Sequence, residues 1–114
     1  MAIWHERLDN DLWLVKVDGR FDQSQTAALE SVLSELLNHG RVTLIIDLSQ
    51  THFINSGGLR CLVSAWRKAK QQDGNLVLAG LNGRLQEVFS MVGFDKVFQI
   101  YPDYQTAQQV LTMK

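Results

Sequence analysis

The sequence has 114 residues, the length of one domain, with no room for a second independently folded unit. With 46 % apolar residues, 20 % charged residues and a single proline, the composition suits a packed core and argues against disorder. Eleven basic and twelve acidic residues are interspersed and leave a formal net charge of −1, so the chain lacks the basic footprint of a nucleic-acid binder or a membrane-surface protein.

Ile3 to Leu8 and Leu12 to Val17 flank the turn-forming run Asp9-Asn10-Asp11 and predict an opening β-hairpin. From about Ser24 to Asn38, Leu29, Val32, Leu33, Leu36 and Leu37 fall on one helical stripe. Asp22 or Ser24 can cap the start of this helix and Gly40 can end it. Val42 to Leu48 is nearly continuous in apolar residues and too short for a helix, as expected of a central strand covered on both faces. A loop from Ser49 to Ser56 leads to a second helix with the stripe Leu59, Leu62, Val63 and Trp66, closed by Gln71-Gln72-Asp73-Gly74.

Leu76 to Ala79 reads as the next buried strand. Leu85, Val88, Phe89 and Val92 form a third helical stripe, and Gly93 followed by Phe94 resembles a left-handed C-terminal cap with its apolar contact. Phe98 to Tyr101 suits a short last strand. Asp103, after Pro102, can cap a final helix carrying Ala107, Val110 and Leu111. Strands and helices alternate after the hairpin, so the expected class is α/β: a mixed, mostly parallel sheet with an N-terminal hairpin and about four helices, all in one domain over residues 1–114.

The lone Cys61 excludes an internal disulfide, and the opening residues lack a signal-peptide hydrophobic stretch, which together predict a cytoplasmic location. No apolar run approaches the roughly 20 residues that span a bilayer, so no membrane insertion is expected. The histidines are far apart and no Cys-x-x-Cys or His-x-x-x-His spacing occurs, so no metal or other cofactor is expected. Cys61 reads as a small core residue whose place one turn into a helix could lower its thiol pKa. Trp66 shares the apolar stripe and is expected to pack.

Phe53-Ile54-Asn55-Ser56-Gly57-Gly58-Leu59 joins the exit loop of the central strand to the second helix, where open α/β sheets tend to bind ligands. Ser56 or Asn55 could serve there simply as a helix N-cap, with the glycines forming a tight turn. Ile54-Asn55-Ser56-Gly57-Gly58 also matches half of a G-x-S-x-G nucleophile elbow, but the first glycine is missing and His5, His39 and His52 all precede the serine, against the Ser-acid-His order. The chain is therefore not expected to be an enzyme. Gly80-Leu81-Asn82-Gly83 opens a helix after a strand but lacks the third glycine of a dinucleotide loop, leaving a turn as the better account. Asp22 and Asp47 read either as paired carboxylates or as a cap and a solvated strand-end charge.

Ile45-Ile46-Asp47-Leu48-Ser49 and Ser56-Gly57-Gly58-Leu59-Arg60, six residues apart, together resemble the signature block of STAS domains of the anti-sigma factor antagonist family. Gly19-Arg20-Phe21-Asp22, Gly74 to Leu78, and Val88 to Phe94 with Phe98 extend the resemblance over nearly the whole chain. It implies a bacterial phospho-switched binding module. The unmodified domain binds a kinase-type anti-sigma factor, that serine kinase phosphorylates it, a PP2C-type phosphatase restores it, and transcription is regulated indirectly. The acceptor maps onto Ser56, with Asp22, Asn55, Gly57, Gly58 and Arg60 as partner-binding neighbours. Asn55 stands where antagonists usually have aspartate, and Gly57 where a serine or threonine often follows. Related STAS domains also serve without phosphorylation as subunits of transporters or signalling assemblies.

Overall fold

A computed structural model describes residues 3–38 and 40–112. The predicted hairpin is formed by β1 (Ile3–Asp9) and β2 (Leu12–Val17), paired antiparallel from Ile3 opposite Val17 to Asp9 opposite Leu12, with a bulge between Arg7 and Asp9. The Asp9 side chain accepts the Asn10 N–H at 2.8 Å, which fixes the turn locally. β3 (Gly19–Phe21) and α1 (Gln23–Leu37) follow, then β4 (Thr43–Asp47), β5 (Thr51–Ile54) and α2 (Ser56–Gln71). The chain continues with β6 (Asn75–Ala79), α3 (Gly83–Met91), a single 3₁₀ turn at Phe94–Lys96, β7 (Ile100–Tyr101) and α4 (Tyr104–Thr112).

The main sheet has the order β1-β2-β4-β6-β7, and every pairing after the hairpin is parallel. Alternation along the strands divides the interior into two layers. Val15, Val17, Leu44, Ile46, Leu76 and Leu78 face one way and pack against α1, α2 and α3. Leu12, Leu14, Ile45, Val77 and Ala79 face the other way and meet Ala107 of α4. The class and the four α-helices are those the sequence predicts.

Two short strands, β3 and β5, are new relative to that expectation. The segment read as a loop between Ser49 and Ser56 contains β5, which pairs parallel with β3 to make a separate two-stranded sheet. The Gly19 N–H donates to the Gln50 carbonyl at 2.9 Å, and buried Thr51 donates its hydroxyl to the Val17 carbonyl at 2.5 Å. This small sheet carries the chain from the core to the start of α2.

Two predicted details shift, the start of β7 and the membership of two helical stripes, while α2 ends at Gln71 as predicted. Phe98 is buried, but its N–H donates to the Phe94 carbonyl at 3.0 Å, so the 3₁₀ turn consumes its backbone and β7 begins only at Ile100. Val92 lies beyond the end of α3 and is 49 % exposed, and Val110 on α4 is 48 % exposed, so neither belongs to its predicted stripe. At the end of α2 the left-handed position falls on Asp73 (φ 64°), while a Cβ at Gly74 would overlap the Val42 carbonyl. Gly93 does adopt the left-handed cap (φ 77°), and Phe94 packs edge-on to Phe89 with centroids 6.4 Å apart.

Candidate functional site

Phe21 and Ile54 are register partners in the small sheet, so their successors in the chain, Asp22 and Asn55, emerge side by side. The Asn55 N–H donates to the Phe21 carbonyl at 3.2 Å and extends that pairing by one residue. From this end two helices start. The Asp22 carbonyl accepts from Thr26 N–H at 3.1 Å and begins α1, and the Asn55 carbonyl accepts from Leu59 N–H at 3.0 Å and begins α2.

Asn55 is the N-cap: its extended backbone (φ −106°, ψ −178°) aims the side-chain oxygen at the Gly58 N–H, 3.0 Å away. Ser56 is therefore the first helical residue, and its hydroxyl is not needed as the cap and is exposed to solvent. Gly58 is buried where the helix crosses the small sheet. A Cβ there would come within 2.9 Å of the Phe21 carbonyl oxygen and 2.8 Å of Ile54 Cγ1, so glycine is required by close approach.

A groove of about 750 Å³ opens beside Ser56 between α1 and α2. Thr26 and Glu30 line it from α1, Ser56, Arg60 and Arg67 from α2, and Phe94 from the 3₁₀ turn. Of the residues singled out in the sequence, Ser56, Gly57 and Arg60 line this groove, while Asn55 and Gly58 shape the turn that presents it. Asp22 stands beside the turn, paired with Arg20 at 3.5 Å, and the Arg20 guanidinium stacks over Phe53 at 4.0 Å. Sequence reasoning missed Thr26, Glu30, Arg67 and Phe94. The spacing of Arg60 and Arg67, two helical turns apart, was the available signal for one of them.

Other candidates resolve as structure. Asp47 is buried, not a solvated charge, because its side chain turns back to accept the Ser49 N–H at 2.9 Å. Asp47 and Asp22 thus have separate partners. The Gly80 to Gly83 segment is a turn in which Asn82 caps α3 by accepting the Leu85 N–H at 2.9 Å. Trp66 packs edge-on to Phe98 at 6.1 Å. The expectation of a lowered thiol pKa for Cys61 is overturned: burial, reinforced by the Glu30 carboxylate, pushes the thiol up to about 12.

The arrangement is a small α/β domain with a serine hydroxyl at the lip of a groove. Residues 6–107 match the STAS domain family model, and the chain belongs to that family. It is 27 % identical over 100 residues to BtrV of Bordetella bronchiseptica, covering 88 % of this chain and 85 % of that protein. It is 28 % identical over 92 residues to an anti-sigma-B factor antagonist of Listeria monocytogenes, covering 81 % of each. The anti-sigma factor antagonist SpoIIAA shares the fold. In its unphosphorylated form the TM-score is 0.83 at 17 % identity, covering 99 % of both chains. In the phosphorylated form of the Bacillus protein the TM-score is 0.76 at 17 % identity, covering 96 % of this chain and 99 % of that one. No helix among the described residues is long and apolar enough to cross a membrane.

Proposed function

We propose that this chain, residues 1–114 forming one STAS domain, is an anti-sigma factor antagonist that works as a phospho-switched binding module and not as an enzyme. The observation that carries the reading is the position of Ser56: an exposed hydroxyl on the first helical residue of α2, relieved of capping duty by Asn55 and facing the groove. The unmodified domain, acting in the bacterial cytoplasm, binds a kinase-type anti-sigma factor through Asp22, Asn55, Ser56, Gly57, Gly58 and Arg60. Transcription is thereby regulated at one remove.

In the modifying step Ser56 Oγ attacks the γ-phosphorus of ATP held by the kinase. The Oγ–P bond forms, the bond to the bridging oxygen of ADP breaks, and the hydroxyl proton passes to a base on the kinase. A PP2C-type phosphatase reverses the modification by hydrolysis. The added phosphate carries roughly −1.5 to −2 charges. Set against a desolvated contact this costs several kcal/mol, and about 3 kcal/mol corresponds to a hundredfold loss of affinity. The fold tolerates the charge because an anion at a helix N-terminus gains about 0.3–1 kcal/mol.

The test is incubation with the cognate anti-sigma kinase and ATP, followed by intact-mass analysis and site mapping. Ser56 alone should be labelled, and the labelled protein should lose partner binding while its thermal melt is retained. Labelling confined to another serine, or tight binding with no labelling, rejects the switch. The outcome of binding without labelling favours an unphosphorylated STAS subunit of a transporter or signalling assembly, a reading supported by the neutral Asn55 and by Gly57 at the acceptor turn.

A further inference from the structure

α2 carries Arg60, Arg67, Lys68 and Lys70 and no acidic residue. At the α-helical advance per residue, Ser56, Arg60 and Arg67 fall within about 40° of one another on its surface. All three are exposed and line the same groove. On an exposed helix an arginine can pair with a carboxylate three or four residues away. Here the positions flanking Arg60 at that spacing are Ser56, Gly57, Val63 and Ser64, and those flanking Arg67 are Val63, Ser64, Lys70 and Gln71. Neither guanidinium has an ion-pair partner among the described residues, whereas nearby Arg20 is already paired with Asp22. The α1 side contributes one acid, Glu30, and Phe94, which also lines the groove, brings no charge.

We propose that Arg60 is the phosphate-receiving residue of this chain: a phosphate on Ser56 Oγ is held by the Arg60 guanidinium one turn further along α2, with Arg67 as a more distant second cation. This rests on the reading of Ser56 as the acceptor, but it concerns only where the phosphate goes once it is present. An anion placed N-terminal to a cation at i, i+4 has the favourable orientation on a helix. The planar guanidinium fork matches phosphate oxygens better than an ammonium does. Glu30 repels the phosphate from the opposite wall and so favours its resting on α2. Modification then does two things at once. It adds negative charge to the lip of the groove, and it occupies the arginine that an incoming partner would use.

The experiment needs no kinase. Phosphoserine is installed at position 56 of the full chain during translation, and the second phosphate ionisation is followed by ³¹P NMR in native, Arg60→Gln, Arg67→Gln, Arg60→Lys and Glu30→Gln proteins. The native value should lie below that of Arg60→Gln by about 0.3 unit or more, the shift equivalent to one i, i+4 pair. Arg67→Gln should raise the value less, Arg60→Lys should restore part of the depression, and Glu30→Gln should lower it further. The Arg60 effect should shrink in 1 M salt, where screening is about 3 Å deep. An unshifted titration in Arg60→Gln, or a larger shift in Arg67→Gln, overturns the assignment. Unmodified Arg60→Gln should melt with the native protein, since the side chain is exposed and unpaired. Because the phosphate is installed directly, failure of a kinase to label Ser56 would sink the switch and leave this result readable, while an unshifted titration would sink the assignment and leave the switch standing.

Discussion

Both α2 and α3 begin at an asparagine cap, and the two helix starts have different consequences. Asn55 accepts the Gly58 N–H at 3.0 Å to open α2, and Asn82 accepts the Leu85 N–H at 2.9 Å to open α3. Their extended ψ angles, −178° and 171°, are nearly the same. The residue after the cap is a serine in one case and Gly83 in the other, so only α2 presents a hydroxyl. α3 carries both Arg84 and Glu87, whereas the charged residues of α2 are all cations. The cap is a generic solution to unpaired N–H groups. On the proposed reading, the difference lies in the first helical residue after the cap and in the groove wall opposite it.

The glycines of the two turns should separate most widely. Gly58 is wedged against the Phe21 carbonyl, which is backbone and cannot move aside cheaply, whereas a Cβ at Gly83 meets nothing within 4 Å. Gly58→Val should cost roughly 1–3 kcal/mol of unfolding free energy as an overpacking strain. Gly83→Ala should be neutral or should gain up to about 1 kcal/mol from helix propensity. Urea unfolding of both variants checks the contrast, and equal costs would remove the distinction between a packed and an open turn.

Ser56 and Cys61 sharpen the contrast within α2 itself, where an exposed hydroxyl and a buried sulfur lie five residues apart. With its thiol at about 12, Cys61 stays protonated at neutral pH and should react with an aromatic disulfide at pH 8 far more slowly in native protein than in urea. The linkage has a definite sign. The folded value lies above the ordinary thiol value of 9.0, so the native state holds its proton longer, and this contribution to stability is lost as pH rises from about 9 to 12. Native protein labelled as fast as unfolded protein would contradict the burial.

The two caps themselves should be nearly equivalent in stability and unequal in function. Asn55→Ala and Asn82→Ala should each cost about 1 kcal/mol. Asn82 also reaches the Thr51 carbonyl at 3.4 Å and so touches the small sheet, but only loss of Asn55 frees the backbone next to Ser56. Partner binding should fall in Asn55→Ala and hold in Asn82→Ala, as measured by titration calorimetry at a temperature where both are folded. Equal losses of binding would show that the partner reads overall stability and not the α2 turn.

Periodicity made most of this architecture legible, because α1, α2 and β4 carry long, uninterrupted signals such as Leu29-Leu33-Leu36 and Leu44-Ile45-Ile46. β5 was not legible. Its Thr51-His52-Phe53-Ile54 is only four residues long, and its partner β3 is three residues long and about thirty residues away in sequence. No local pattern reports a pairing of that kind. The turn into α2 was readable from Ser56-Gly57-Gly58, but its division of labour was not, since Asn55 and Ser56 are equally good caps by residue type and only backbone geometry decides between them. The groove residues Thr26, Glu30 and Phe94 come from elements whose adjacency is a tertiary fact. Cys61 misled in the same way: helix position argued for a low pKa, and burial against α1 reversed it.

A third cap gives the smallest expected effect. Asp103 opens α4 as the asparagines open α2 and α3, with its side chain accepting the Thr106 N–H at 2.7 Å, but it is charged and can be titrated. The hydrogen bonds from Thr106 hold the Asp103 carboxyl below the usual carboxylate range. A depressed folded-state pKa means that the stabilisation is fully present above the unfolded value of about 3.9 and is lost as pH falls through the lower folded value. Acid should therefore loosen α4 before α2 or α3, whose neutral asparagine caps have no proton to gain. The Thr106 amide shift, followed by ¹H–¹⁵N NMR between about pH 6 and 2, should titrate with a midpoint below 3.9, while the Gly58 and Leu85 amides stay flat over the range where the protein is folded. Asp103→Asn should keep the cap and abolish the titration. If the Gly58 amide moved together with Thr106, the acid response would belong to the whole fold, and the three caps would not be independent devices.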